Sequence, residues 1–139
     1  MSPVPVRFVR TVLLGAASVP EVAARLPEAE TTLAVRITDD GEMERLNRTY
    51  ADVARATDVL SFAGTGSHLG DIAISWPAVE RQASAHGHDA KTELALLAVH
   101  GLLHVLGWDH ATARERTEMT RLTTEALKRS RITLAPGRL

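Results

Sequence analysis

The run His100-Gly101-Leu102-Leu103-His104-Val105-Leu106-Gly107-Trp108-Asp109-His110 constrains this chain more than any other stretch, and it holds three of the six histidines. A four-residue spacing stacks His100 and His104 on one face of a helix, one turn apart. Gly107 follows three residues later, where a chain leaving a helix favours a residue that accepts positive φ. That turn brings His110 back toward the other two. Three neutral imidazoles converging on one point form the ligand set of a catalytic zinc site, with a fourth position open to water. A bare pair of histidines four apart is more often packed than ligating. Here a third histidine comes just after a helix-stopping glycine, and the apolar run 94–99 just before the pair implies burial, where an imidazole needs a partner. One zinc ion per chain, held by His100, His104 and His110, is the reading these residues favour.

The chain of 139 residues is long enough for one domain with a substantial core, and we read residues 1–139 as a single domain. Aromatic residues make up only 4%, so Leu, Val, Ile and Ala must build that core. Cysteine is absent, which excludes a disulfide framework and thiolate ligation and favours a cytoplasmic location. No apolar stretch is long enough to span a bilayer. Arg7 and Arg10 precede Thr-Val-Leu-Leu-Gly-Ala-Ala-Ser, a faint likeness to an export signal, but the apolar part is short. The net charge of −1 is unevenly spread: residues 111–139 carry seven Arg/Lys against three Glu, or +4, which leaves −5 on residues 1–110. A basic helix there either meets phosphates or is a solvated face, because Glu115, Glu118 and Glu125 interleave with the cations.

Along the chain, alternation of Val4, Val6 and Phe8 predicts a short strand over residues 4–9, followed by a helix within 10–26. Residues 33–38 alternate and are β-branched, as in a strand. Asp39 and Glu42 have capping-box spacing and open a helix to about Tyr50, with Met43, Leu46 and Tyr50 as its inward stripe. Residues 57–62 and 69–75 are further strands around a glycine-containing loop. Ser75 and Pro77 open another helix that stops at Gly87. Asp89 caps the histidine helix over 90–106. Thr112 and Glu115 open a last helix to about Arg129, with Met119, Leu122 and Ala126 facing in. Strands first and helices later suggest an α+β domain, a small mixed sheet of about four strands packed with about five helices.

A zinc ion bound by three neutral imidazoles acidifies its water to a pKa of about 7, and the resulting hydroxide suits a carbonyl or a phosphodiester. Asp71 is a candidate to position that water; its plainer reading is a strand residue bonded to backbone. Glu93, two turns below His100, is too far to ligate and is read as exposed or capping. Helix-borne zinc peptidases place a glutamate directly after the first histidine as general base, and here that position is Gly101. Phosphodiester cleavage needs such a base less, because metal and Arg/Lys charge carry much of the barrier.

Several segments together resemble the YbeY family of bacterial rRNA-maturation endoribonucleases. They are Leu46-Asn47-Arg48-Thr49-Tyr50, Thr57-Asp58-Val59-Leu60-Ser61-Phe62, Leu69-Gly70-Asp71-Ile72, His100-Gly101-Leu102-Leu103-His104 and Gly107-Trp108-Asp109-His110, trailed by Glu118 and Met119. The resemblance spans residues 33 to 127 and implies a zincin-like domain. It also implies a zinc-dependent, single-strand-specific endoribonuclease acting in late 16S rRNA 3′-end maturation and ribosome quality control, in which a zinc-bound hydroxide attacks RNA. Its implied partners are single-stranded rRNA, the small ribosomal subunit and assembly factors. His100, His104 and His110 map onto the family's metal ligands. Two positions depart from the pattern: Ala51 stands where an arginine linked to activity is common, and Ala63 where a proline is usual. Arg48 and Arg55 are the candidates to replace the missing charge, although neither occupies its position. A zinc peptidase with an unusual base, and a ribosome-assembly factor whose zinc is structural, are the alternatives.

Overall fold

A computed structural model of the chain describes residues 5–50 and 57–139. Its elements run α1 (Val6–Ala17), α2 (Pro20–Ala23), β1 (Thr32–Thr38), α3 (Asp40–Tyr50), β2 (Val59–Ala63), β3 (His68–Ser75), α4 (Trp76–His86), α5 (Ala90–Val105) and α6 (Ala113–Lys128). The class is α+β as expected. Among the described residues there are three strands rather than about four, and six helices rather than about five. None of these helices is long and apolar enough to cross a membrane.

Of the strand expected over residues 4–9, residues 6–9 are the start of α1 instead, and residue 4 lies outside the described residues. Val9, Val12 and Ala16 share one helical face and are buried in the common core, whereas Val6 is 68% exposed. Burial of that 3.6-period stripe outweighs a short alternation near the chain's start. The helix ends at Ser18, and Pro20 starts the short α2 from its first position, where a missing N–H costs nothing.

The sheet order is β1-β3-β2, with β1 parallel to β3 and β2 antiparallel to it. Central β3 buries Ile72 and Ile74, and β2, an edge strand, connects to it through the expected glycine loop. Asp39 caps α3 by accepting from the Glu42 N–H at 2.8 Å, but the Glu42 carboxylate turns to Arg36 at 2.6 Å, so only half of the capping box forms. On α3, Met43 is buried as expected. Tyr50 is instead 68% exposed, edge-on to Phe62, and Asn47 is buried in its place. Helix α4 is capped by Ser75, whose Oγ accepts from the Ala78 N–H, and stops at Gly87, both as read from the sequence.

Helix α5 runs through the middle of the domain. It packs on β2 and β3 on one side and on α1, α4 and α6 on others. Contact all round explains why its residues 94–99 are apolar without a polar face, and all six are at most 1% exposed. Gly101 lets this helix lie close to the sheet. A Cβ there would stand 2.6 Å from Ile72 Cγ2.

Candidate metal centre

The site is built where α5 ends. The Gly107 N–H bonds to the His104 carbonyl and the Trp108 N–H to the Leu103 carbonyl, both at 3.0 Å. These two bonds make a Schellman stop with Gly107 at φ +99°, a conformation L side chains rarely adopt. Buried Leu103 and Trp108 flank the stop. The Trp108 indole N–H donates to Glu118 Oε1 on α6 at 2.9 Å. The Arg25 guanidinium lies 3.6 Å over the indole ring and donates to the Leu106 carbonyl, one of the unpaired acceptors of the helix end. The loop that carries His110 is therefore fastened on both sides.

That loop returns His110 to the helix end. The rings of His104 and His110 are 5.0 Å apart, centroid to centroid, at 70°. His104, Asp109 and His110 each offer one donor atom, and the three atoms lie within 4.8 Å of one another. Among the described residues this is the compact donor set; His100, one turn below on α5, lines the same cavity but lies outside it. The sequence reading did not assign Asp109 a role. Its position beside His110 on an exposed turn was the available signal, and the Asp109 carboxylate also accepts from the His110 N–H at 2.7 Å.

Two nitrogens and a carboxylate oxygen are a suitable ligand set for zinc or a similar divalent ion. The protonation states agree. Burial, then the neighbouring charges of His104, Arg138 and His110, push His100 down to about 4, against an opposing pull from Glu93. Burial and then His110 likewise lower His104. Both imidazoles are thus held in the neutral form that binds a metal. The cavity above them, about 760 Å³, is open to solvent and bounded by β2, the 107–110 loop and α6.

The structure does not bring Asp71 or Arg48 here. Asp71 projects from the opposite face of β3 to Ile72, 55% exposed, with its Oδ1 3.2 Å from His68 Nε2. Arg48 lies on α3, paired with Glu44 at 2.9 Å. Arg55 and Ala51 lie outside the described residues. Glu93, read as exposed or capping, is fully buried, bonded to His88 at 2.7 Å and to Arg138 at 2.6 Å. A partner some 45 residues away cannot be seen in local spacing.

Residues 9–131 match the family model described as Endoribonuclease YbeY. The chain belongs to the YbeY family. A YbeY protein from Moorella thermoacetica is 45% identical over 122 residues, covering 78% of this chain and 75% of its own. One from Chloroflexus aurantiacus is 43% identical over 119 residues, or 73% and 77% of the two chains. One from Roseiflexus castenholzii is 49% identical over 89 residues, and there the match spans only 56% of each chain. The match spans a similar 55% of the Gloeobacter violaceus relative. The fold is also that of a Thermotoga maritima protein solved in solution, with TM-score 0.61 at 20% identity, covering 99% of this chain and 96% of that one. The span matched by the family model contains the donor set described above.

Proposed function

We propose that this chain is a zinc-dependent endoribonuclease that cuts single-stranded RNA in the cytoplasm. Its proposed substrate is the 3′ end of 16S rRNA on the small ribosomal subunit, with a part in ribosome quality control. The observation that carries this reading is the cluster of His104, Asp109 and His110 at the foot of an open cleft, in a YbeY chain. His104 and His110 would hold the ion, Asp109 stands within reach as an oxygen donor, and His100, outside that compact set but lining the same cavity, would be the further ligand from the turn below. A divalent ion so held supplies positive charge to the phosphodiester and acidifies water beside it.

The chain's own residues do the rest. Burial keeps His100 and His104 unprotonated, so both offer a lone pair. The Schellman stop and the Trp108 clasp set the approach of His110, and the Asp109 carboxylate holds the backbone N–H of the next residue. Gly101 supports a nuclease over a peptidase. Its α-carbon faces Ile72 of the sheet, so a glutamate base at that position would collide with the core.

The test is cleavage of matched single-stranded and duplex RNA by the purified protein, chelated and then reloaded with zinc. Cutting of the single strand, loss on chelation, return with zinc and no cutting by His104→Ala are the expected results. Inactivity of the metal-loaded parent, or activity that survives chelation, would overturn the proposal.

A further inference from the structure

The cleft has a charge pattern that the metal donors do not account for. Two acidic side chains line it, Asp58 and Asp109, and both are engaged. Asp58 accepts from the Val59 N–H at 2.8 Å and from Gln82 at 3.2 Å, and Asp109 belongs to the donor set. Among the described residues lining the cleft, Arg116 is the one Arg or Lys. It projects from the second turn of α6 and is exposed. Arg121 on α6 pairs with Glu21 and Arg129 at its C-cap with Glu125, whereas Arg114 and Arg116 have no ion pair among the described residues, and of these two Arg116 alone lines the cleft. Among the described residues its guanidinium makes long hydrogen bonds from a single nitrogen, Nη1, to the carbonyls of His110 at 3.4 Å and Ala111 at 3.5 Å. A guanidinium carries five N–H donors, so most of them remain for a ligand.

From this we infer that Arg116 is the phosphate-binding residue of the cleft, gripping a backbone phosphate of the RNA next to the scissile bond. This rests on the nuclease reading above. A guanidinium fork matches two phosphate oxygens at once, which a point charge does not. Its contact with the His110 carbonyl places the captured phosphate beside the donor set, where an isolated surface arginine would leave it elsewhere. In a chain with residues 1–110 at −5, an unpaired cation lining the cleft also favours the entry of a polyanion.

The test compares zinc-loaded parent, Arg116→Ala and Arg116→Lys. A labelled 2′-O-methyl RNA strand reports binding across a salt series, unmodified RNA reports kinetics, and elemental analysis reports metal. Arg116→Ala is expected to raise KM about tenfold with kcat within about twofold. Its log–log salt slope should be shallower by about 0.7, the loss of one phosphate contact to a single strand. Metal content should be unchanged, and Arg116→Lys should restore the slope while recovering KM only in part. An alanine variant with the parent's KM and slope would overturn the inference. So would one that loses metal with an unaltered slope, since Arg116 would then only brace the 110–111 carbonyls. Should the parent cut no RNA, the nuclease reading falls, while the salt slope still decides whether Arg116 holds phosphate.

Discussion

At the scale of single residues, the site depends on two imidazoles whose neutrality comes from burial and one whose position comes from a turn. His104→Ala and His110→Ala each remove a donor from the compact set, so metal content should fall well below one per chain on elemental analysis. Asp109 and His100 can be told apart by zinc titration. Loss of the Asp109 carboxylate should cost at least about tenfold in affinity if it ligates; an unchanged constant would leave it only its bond to the His110 N–H. Gly107 is a third point of control. Its φ of +99° strains any L side chain, so Gly107→Ala should destabilise by about 1–3 kcal/mol. The same change should weaken zinc binding, because the turn aims His110; thermal melting and zinc titration measure the two effects separately.

At the scale of elements, α5 both fills the core and carries the chemistry. Its capping residue, its apolar run and its histidine spacing were all legible, because each is a local pattern of a 3.6-residue repeat. The fit of its Gly101 against Ile72 was not, since that contact joins residues far apart in the chain. Ile72 is buried and its branched side chain has little room to yield, so Gly101→Ala should cost about 1–3 kcal/mol despite alanine's better helix propensity. Urea unfolding checks this, and a stabilised variant would show that the sheet moves to accommodate the methyl. Helix α1 teaches the converse. Alternation of Val6 and Phe8 suggested a strand, yet the face that could be buried was the helical one of Val9, Val12 and Ala16. A three-residue alternation is too short to compete with a stripe that reaches the core.

At the scale of the whole molecule, a buried ionic knot ties the segment after α6 to the central helix. Fully buried Glu93 receives Arg138 Nη2 at 2.6 Å and Nε at 3.0 Å, and lies 2.7 Å from His88 Nε2. The His88 Nδ1 in turn accepts from the Ala135 N–H. Burial alone pushes the Glu93 carboxyl up, but the hydrogen bonds and charges of Arg138 and His88 more than reverse it, leaving it below its ordinary 4.5. A depressed carboxyl stabilises the fold above pH 4.5 and loses that contribution as pH falls through the lower folded value. Arg138→Ala should therefore cost about 3 kcal/mol near neutral pH by leaving a buried carboxylate short of its partner. Its deficit relative to the parent should narrow in acid, as urea melts across pH would register; a deficit independent of pH would mean that only packing was lost. The sequence alone determined the α+β class, most helix caps, the glycine turn and the approach of His110 to His104, because short-range periodicity and backbone stereochemistry govern each. Only the tertiary structure decided that Asp109 lies with His104 and His110 while Asp71 turns away, that Glu93 is buried, and that Arg116 lines the cleft. Those outcomes depend on which surfaces meet across β3, α5 and α6, and neighbours brought together by packing leave no mark in the spacing of a single chain.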